Sequence, residues 1–455
     1  MLIAGIVIVI AIGFILLNDI SLQFSWYEKI GLSFPIGIGI QTMLMAVINL
    51  LGIPLTVPNI FIADGILILA LLYPLYRRKE EVAAYYKNSL HFTTPRYNLV
   101  WLFFIGVILY LEYMNFAKCI YFPTFDRDSL AGFDTIGYVI AQEHTLKDLS
   151  LFQPDYMPQI NRAGSYITYA PMLQLSYAFV YLLGAETSKL IPALIYLFFL
   201  IAFYGSLHRV IGKTGAATTT FFMMITPEMI GFSSLSATNV IHAVSASLGI
   251  IYLALWFRKR ETKDLYLGSL LLGINIWTRT DGIVFIAAAL LAVLIDCIKN
   301  KHWKSILPVT ASLIPALLWV IFMKISHFYA ESIAIVRPYW DVEKAGIIWH
   351  FMKLHFANTL FYGWTFVALL ISLLLNGWYL IKKQDNLLLL VMIITAALLY
   401  MIALYQIDYK WDTIQNVLSY SAKRFLFCFV PVAWFYAMSN HCVKQAMKKF
   451  DNYLS

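Results

Sequence analysis

Long apolar segments recur along almost the whole chain, and no other feature limits the fold so strongly. The sequence has 455 residues, of which 61% are hydrophobic and 13% are charged. In soluble domains charged residues are about a quarter of the chain, and a membrane-spanning helix needs about 20 apolar residues. The sequence therefore predicts an all-α polytopic integral membrane protein. The thirteen predicted spans lie near residues 2–17, 32–53, 59–76, 98–116, 188–207, 215–232, 239–257, 265–279, 281–298, 305–325, 361–381, 386–405 and 425–441.

The distribution of lysine and arginine predicts the orientation of the chain. Short basic segments between spans are typical of the cytoplasmic side. Such segments occur at 77–79, 258–263, 299–304, 382–383 and 444–449. The longer segments 121–171, 326–360 and 406–424 are therefore expected to face the periplasm or the cell exterior. In this orientation the short apolar run 171–184 should be juxtamembrane or re-entrant. The thirteen spans then place the N-terminus of the chain outside and its C-terminus inside.

The segment 121–171 is the longest interval without a span, and it is rich in charge. Its acidic residues are Asp126, Asp128, Asp134, Glu143, Asp148 and Asp155, and its basic residues include Arg127, Lys147 and Arg162. Carboxylates beside basic side chains are suited to general base catalysis next to a bound phosphate. Apolar residues at helical spacing from Phe133 to Ile140 indicate a short amphipathic helix on the bilayer surface. The alternative is that the loop is charged only because water surrounds it.

Two motifs bound this loop, PTFDRD at 123–128 and YAPML at 169–173. In their order and context they resemble the GT-C glycosyltransferases that use polyprenyl-phosphate sugars, especially the branch of protein O-mannosyltransferases and lipid A aminoarabinose transferases. The resemblance implies a GT-C-like helix bundle with juxtamembrane helices in its first outer loop. It also implies that a loop aspartate is the general base. Asp128 is the first candidate, and Asp126 and Asp134 are the alternatives.

Three later motifs follow in the order expected from this resemblance. A helix ends at Thr226-Pro227 with Glu228 directly after it, although the family often carries its acid in the loop that follows. The run TRTDG at 278–282 is similar to a Thr-Arg-x-Glu-Gly element of the superfamily. The run SAKRF at 421–425 places two basic residues at an outer boundary.

The resemblance implies substrate-binding roles for several residues, with Arg424 on the lipid-linked phosphate. These residues are Arg162, Tyr169, Arg279, Asp281, Lys423 and Arg424. Two alternatives stay open. Arg279 and Asp281 are also suited to an ion pair that joins two helices. Arg424 is also suited to a snorkelling anchor at the membrane interface.

The sequence thus predicts a membrane glycosyltransferase of the cell (inner) membrane with its active site on the outer face. Residues 1–97 are expected to be an N-terminal transmembrane module, 98–440 the catalytic region and 441–455 a cytoplasmic tail. The expected partners are a polyprenyl-phosphate sugar donor, a lipid, glycan or protein acceptor, and membrane lipids, but no nucleic acid. No cofactor is assigned, and a divalent metal ion is left open. The alternative functions are a transporter or flippase, and a glycan polymerase or ligase.

Overall fold

The chain forms a bundle of helices, seen in a computed structural model that describes residues 1–89, 98–147, 149–152, 169–326, 334–336, 340–409 and 412–454. Helices α1 to α7 are Leu2–Ile20, Trp26–Leu50, Val57–Arg77, Lys79–Ser89, Leu99–Tyr121, Asp134–Glu143 and Met172–Leu182. Helices α8 to α14 are Leu190–Met224, Pro227–Phe232, Asn239–Lys259, Thr262–Thr278, Ile283–Asn300, Ile306–Ala311 and Ile314–Ile325. Helices α15 to α21 are Val342–Phe356, Thr359–Tyr362, Thr365–Lys383, Leu387–Gln406, Ile414–Phe427, Val430–Ser439 and His441–Leu454.

Short elements connect these helices. They are a π-helical turn at Ser129–Phe133 and 3-10 turns at Ser150–Phe152, Thr280–Gly282 and Trp303–Ser305. Two three-residue strands, β1 (Ala334–Val336) and β2 (Ile407–Tyr409), pair antiparallel, with Ile335 opposite Asp408. Apart from this small ribbon, the regular structure of the described residues is helical, which confirms the predicted all-α class.

Ten helical stretches in the described residues are long and apolar enough to cross a membrane. They correspond to eleven of the thirteen predicted spans, because the spans predicted at 188–207 and 215–232 both overlap α8, and the second extends into α9. The span predicted at 265–279 corresponds to α11, which has 17 residues. The span predicted at 425–441 is divided between α19 and α20. The protein is thus a multi-pass membrane protein, and the number of crossings stays a prediction.

Helix α8 reverses direction at Gly212. Its first limb runs antiparallel to α5, because Tyr204 OH accepts a hydrogen bond from Trp101 Nε1 at 3.0 Å and Lys189 Nζ donates to the Phe122 carbonyl at 2.7 Å. The second limb runs parallel to α5, because Asn98 at its start contacts Thr214 at 3.0 Å. Gly212 has φ 81° and ψ −178°, a combination that only glycine adopts readily. The two spans predicted here are therefore two limbs of one hairpin.

The loop between α5 and α8 folds against the bundle through α6 and α7. Helix α7 has 11 residues, which is shorter than a membrane span, and the juxtamembrane or re-entrant position of the run 171–184 stays a prediction. Helix α6 buries Ile136 and Ile140 in the hydrophobic core, and its position at the bilayer surface stays a prediction. A Cβ atom on Gly137 would lie 2.6 Å from Tyr177 Cβ, so this glycine permits the close packing of α6 on α7.

A buried charge cluster lies at the end of the bundle away from this loop. Arg209 bonds to both carboxylate oxygens of Asp264 at 2.7 Å and to Glu28 and Glu261 at 3.0 and 3.2 Å. Because Glu28 belongs to α2 and Asp264 to α11, the cluster ties the N-terminal segment to the rest. The side chains of α1, α2 and α8 also share one hydrophobic core. The boundary predicted near residue 97 stays a prediction.

Candidate functional site

Asp128 and Arg424 form an ion pair at the loop end of the bundle. Asp128 immediately precedes the π-helical turn, and Arg424 lies near the C-terminal end of α19. The Asp128 side chain is 22% exposed and the Arg424 side chain 28%, so a solute can reach both. The structure thus brings the first candidate base beside the arginine that the sequence assigns to a donor phosphate.

The two alternative aspartates make contacts within the loop. Asp126 Oδ2 accepts hydrogen bonds from the Ser129 amide at 3.2 Å and the Ser129 hydroxyl at 3.1 Å. Asp134 Oδ1 accepts from Tyr181 OH at 2.5 Å, which joins α6 to α7. Burial, and then the hydrogen bond to Asp134, raise the pKa of the Tyr181 phenol, so this hydroxyl stays a donor. Both aspartates thus stabilise the loop fold.

A second ion pair lies on the same helix as Arg424. Lys423 Nζ is 2.7 Å from Glu228 Oε1, and the Lys423 side chain is 25% exposed. The Phe361 ring centroid lies 4.1 Å from Lys423 Nζ, and Tyr362 OH donates to the Lys423 carbonyl at 2.7 Å. Glu228, the acid that the sequence places directly after Thr226-Pro227, is therefore the partner of a predicted substrate-binding residue.

Arg279 and Asp281 form a two-point ion pair where α11 meets α12. Arg279 Nε and Nη2 donate to the two Asp281 oxygens at 3.0 and 2.7 Å. The pair therefore forms within one 3-10 turn, and it does not join two helices directly. His242 Nε2 lies 3.6 Å from Asp281 Oδ1, and His242 Nδ1 is 2.9 Å from Asn275 Nδ2. Since an amide nitrogen donates, Nδ1 accepts and the proton lies on Nε2, facing the carboxylate.

Tyr169 joins the loop that carries Asp128 to the Arg279–Asp281 pair. Its ring packs edge-on against Phe133, with centroids 5.4 Å apart, and the Arg279 guanidinium carbon lies 5.9 Å from its centroid. On α19, Phe425 stacks on Tyr400 with centroids 3.6 Å apart and contacts Phe285 of α12. Aromatic packing thus holds the loop, α12 and α19 together around the charged residues.

The structure brings eight of the nine predicted site residues to one end of the bundle. The ninth, Arg162, lies outside the described residues. Sequence reasoning missed the contact of Asn275 with His242 and the pairing of Glu228 with Lys423. An asparagine in an apolar helix was the available signal for the first, because buried amides require hydrogen-bond partners.

The sequence left open whether the protein binds a divalent metal ion, and the arrangement of acidic, histidine and cysteine side chains bears on this question. In the part of the chain that the structure describes, no three acidic, histidine or cysteine side chains converge on one point. Asp128 and Glu228 each face a basic side chain instead. No metal ligands are therefore assigned.

A helical bundle with ten stretches long enough to cross a membrane, among the described residues, defines a class, the multi-pass membrane proteins. Within this class, residues 169–321 match the family model described as dolichyl-phosphate-mannose-protein mannosyltransferase. The match confirms the resemblance to the GT-C superfamily and supports a membrane glycosyltransferase of that type. It covers about a third of the chain and includes Tyr169, Arg279 and Asp281 but not Asp128 or Arg424. No curated protein and no solved structure gives a significant match.

Proposed function

We propose that the protein transfers a sugar from a polyprenyl-phosphate donor to an acceptor hydroxyl or amine at the outer membrane surface. The observation that carries the proposal is the ion pair of Asp128 with Arg424. It combines a base and a phosphate-binding group at the end of the bundle where the first loop folds. A lipid-linked donor presents its phosphate and anomeric carbon at this level of the membrane, so both groups lie within its reach.

Asp128 acts as the general base in this proposal. The acceptor oxygen or nitrogen attacks the anomeric carbon while Asp128 removes its proton. The bond between the anomeric carbon and the phosphate oxygen breaks, and its electron pair leaves with the phosphate. A single displacement of this kind inverts the anomeric configuration. A base within hydrogen-bond reach commonly contributes about 10²–10⁴ in rate.

Arg424 stabilises the phosphate as its negative charge grows. A guanidinium binds phosphate through two parallel hydrogen bonds, and such charge-assisted bonds are strong. The Arg424 guanidinium contacts Asp128 in the structure. In the proposed reaction the donor phosphate replaces Asp128 as the hydrogen-bond partner of Arg424, and the Asp128 carboxylate then faces the acceptor. Donor binding thus prepares the base for the second substrate.

Lys423, Tyr169, Arg279 and Asp281 complete the proposed substrate site. Lys423 adds positive charge next to Arg424, and Glu228 orients it. The two-point pair of Arg279 and Asp281 offers charged hydrogen-bonding groups for sugar hydroxyls, and the Tyr169 ring offers an apolar face for stacking. Arg162 stays a candidate on the same loop.

An apolar groove supports a donor with a long lipid tail. The groove is formed by α5, α8 and α9, has a volume of about 430 Å³, and includes Leu111, Met114, Ala117, Tyr121, Met224 and Ile230 in its lining. Its lining also includes Lys118 and Phe122, near the start of the loop that carries Asp128. In this proposal the groove takes the prenyl chain of the donor.

Sugar transfer in membranes tests the proposal directly. Membranes containing wild type, Asp128→Asn or Asp412→Asn receive a radiolabelled pool of polyprenyl-phosphate sugars, and label in lipid, glycan and protein is counted. Asp412 is the matched control, because within the described part of the chain this acid bonds to its near neighbours Thr413 and Asn416. We expect transfer by wild type and Asp412→Asn and a loss of about 10²-fold or more in Asp128→Asn. Equal transfer by Asp128→Asn and wild type contradicts the assignment of the base.

A further inference from the structure

A basic cavity lies at the end of the bundle opposite the proposed active site. It has a volume of about 570 Å³, within the usual range of about 300–1,000 Å³ for small-molecule sites. The ends of α10, α12 and α17 and the start of α18 surround it. Its charged lining residues are Arg258, Arg260, Asp296, Lys299, Lys383 and Asp385.

The lining carries more positive than negative charge. Arg260 and Asp296 neutralise each other through two hydrogen bonds of 2.6 and 2.5 Å. Of the remaining charged residues, Arg258, Lys299 and Lys383 are basic and only Asp385 is acidic. The Asp385 carboxylate is engaged by the Asn376 amide at 3.2 Å and by the His441 backbone N–H at 2.9 Å. The cavity is therefore suited to an anion.

Arg258 provides a free donor in this cavity. Its Nη2 donates to Asn386 and to the carbonyl and hydroxyl of Ser439, which are all neutral groups. Its Nη1 is buried and has no hydrogen-bond partner among the described residues. A buried guanidinium nitrogen without a partner is costly unless a ligand supplies an acceptor.

We infer that this cavity binds the phosphate group of an anionic membrane lipid. Basic cavities between membrane helices bind such headgroups. Phosphate oxygens satisfy Arg258 Nη1 and the Lys299 and Lys383 ammonium groups. The cavity is also lined by Ile295, Leu387 and Leu388, and Ile295 is 40% exposed. This apolar wall favours a lipid over a free phosphate ion, because it gives the acyl chains a surface to contact.

Two exposed lysines provide the cleanest test. Changing Arg258 also removes its bonds to Asn386 and Ser439, so that variant reports on folding as well as on binding. The Lys299→Gln/Lys383→Gln double variant removes two lining charges from the surface. Lys382→Gln is the matched control, because Lys382 neighbours Lys383 on α17 but does not line the cavity and lies 5.6 Å from the Trp378 centroid.

The full chain, purified in a neutral detergent, is titrated with dioleoyl phosphatidylglycerol, dioleoyl phosphatidylcholine or inorganic phosphate while its thermal unfolding midpoint is recorded. A ligand that binds the folded state raises this midpoint. We expect phosphatidylglycerol to raise the unfolding midpoint of wild type and Lys382→Gln at similar concentrations. The same rise in the double variant should require a lipid concentration about tenfold higher or more.

Two results overturn the lipid assignment. If phosphatidylglycerol stabilises the double variant as it does wild type, or acts no better than phosphatidylcholine, the cavity does not bind an anionic headgroup. If inorganic phosphate alone stabilises wild type and the double variant loses this effect while phosphatidylglycerol gives none, the site takes a soluble phosphate. The readout is independent of sugar transfer, so it stands apart from the proposed function.

Discussion

Asp128 and Arg424 lie 296 positions apart in the sequence and form an ion pair. The pair connects the loop after α5 to α19, which follows most of the long helices. The matched family segment lies between the two residues and contains neither. Because the two residues belong to separate segments, each can be changed without altering the other segment, and their contributions to activity can be measured separately.

Arg424 should contribute through both its charge and its shape. We expect Arg424→Ala to lower the transfer rate by about 10²–10³, as for the loss of a donor to a developing oxyanion. Arg424→Lys should retain part of the activity, because a lysine keeps the charge but not the two-point geometry. Initial rates at saturating donor measure this. Arg127→Ala removes an exposed arginine of the same loop and should stay within twofold of wild type; an equal loss there would argue against a specific role for Arg424.

Exchanging the two residues should restore the stability that the ion pair gives but not the transfer activity. Asp128→Arg or Arg424→Asp alone places two like charges together and should lower the midpoint of thermal unfolding. The double variant Asp128→Arg/Arg424→Asp restores opposite charges, so its midpoint should rise toward that of wild type. Its transfer should stay at background, because the base and the phosphate ligand have changed places. An active double variant would refute the assigned roles.

Glu228 should matter for stability through Lys423. Glu228→Gln leaves the Lys423 ammonium without its counter-ion and should lower the free energy of unfolding by about 1–3 kcal/mol, less than for a fully buried pair because Lys423 is 25% exposed. Equilibrium unfolding in mixed micelles measures this change. The double variant Glu228→Leu/Lys423→Met should lose less free energy of unfolding than Glu228→Gln, because it leaves no charge unpaired. A larger loss in the double variant would contradict the ion-pair explanation.

Gly212 should tolerate no side chain. In Gly212→Ala the Cβ atom would lie 2.2 Å from Asp451 Oδ2 and force a residue with φ 81° into a strained conformation. We expect a loss of at least about 1–3 kcal/mol in the free energy of unfolding. Gly65→Ala is the control, because nothing lies within 4 Å of its Cβ position on α3. That change should be neutral or slightly stabilising; similar losses in both variants would exclude a special role for the turn.

Filling the apolar groove should impair long donors selectively. Ala117→Trp places a large ring among the groove residues on α5. Transfer from a donor with many prenyl units should fall several-fold, while transfer from a donor with one or two units should stay near wild type. Parallel assays with the two donors give the ratio. An equal fall with both donors would show that the groove does not hold the tail.

The sequence was sufficient to predict the helical, multi-pass class. Hydropathy and basic clusters are local signals, so they identify spans without any knowledge of their neighbours. They also located the turn between the limbs of α8, because Arg209 and Lys213 interrupt the apolar run. Asp128 and Arg424 were selected through the family resemblance, and the structure brings them together.

Side-chain partners were harder to predict, because they depend on how separate helices pack. Nothing in the sequence around Glu228, in the first turn of α9, shows that it faces Lys423 on α19. The helical periodicity of α6 was predicted, but its packing on α7 was not, because an apolar face packs equally well on lipid or on a helix. The close approach of α6 to α7 at Gly137, where a side chain would clash with Tyr177, is visible only in the structure.

The reversal at Gly212 also bears on how the nascent chain enters the bilayer. The two limbs of α8 are joined through one residue with non-helical dihedral angles, Gly212, and the basic residues Arg209 and Lys213 lie close to it in sequence. A turn this short favours entry of the two limbs into the bilayer together, as a helical hairpin. The basic residues predict the cytoplasmic side for the tip of this hairpin.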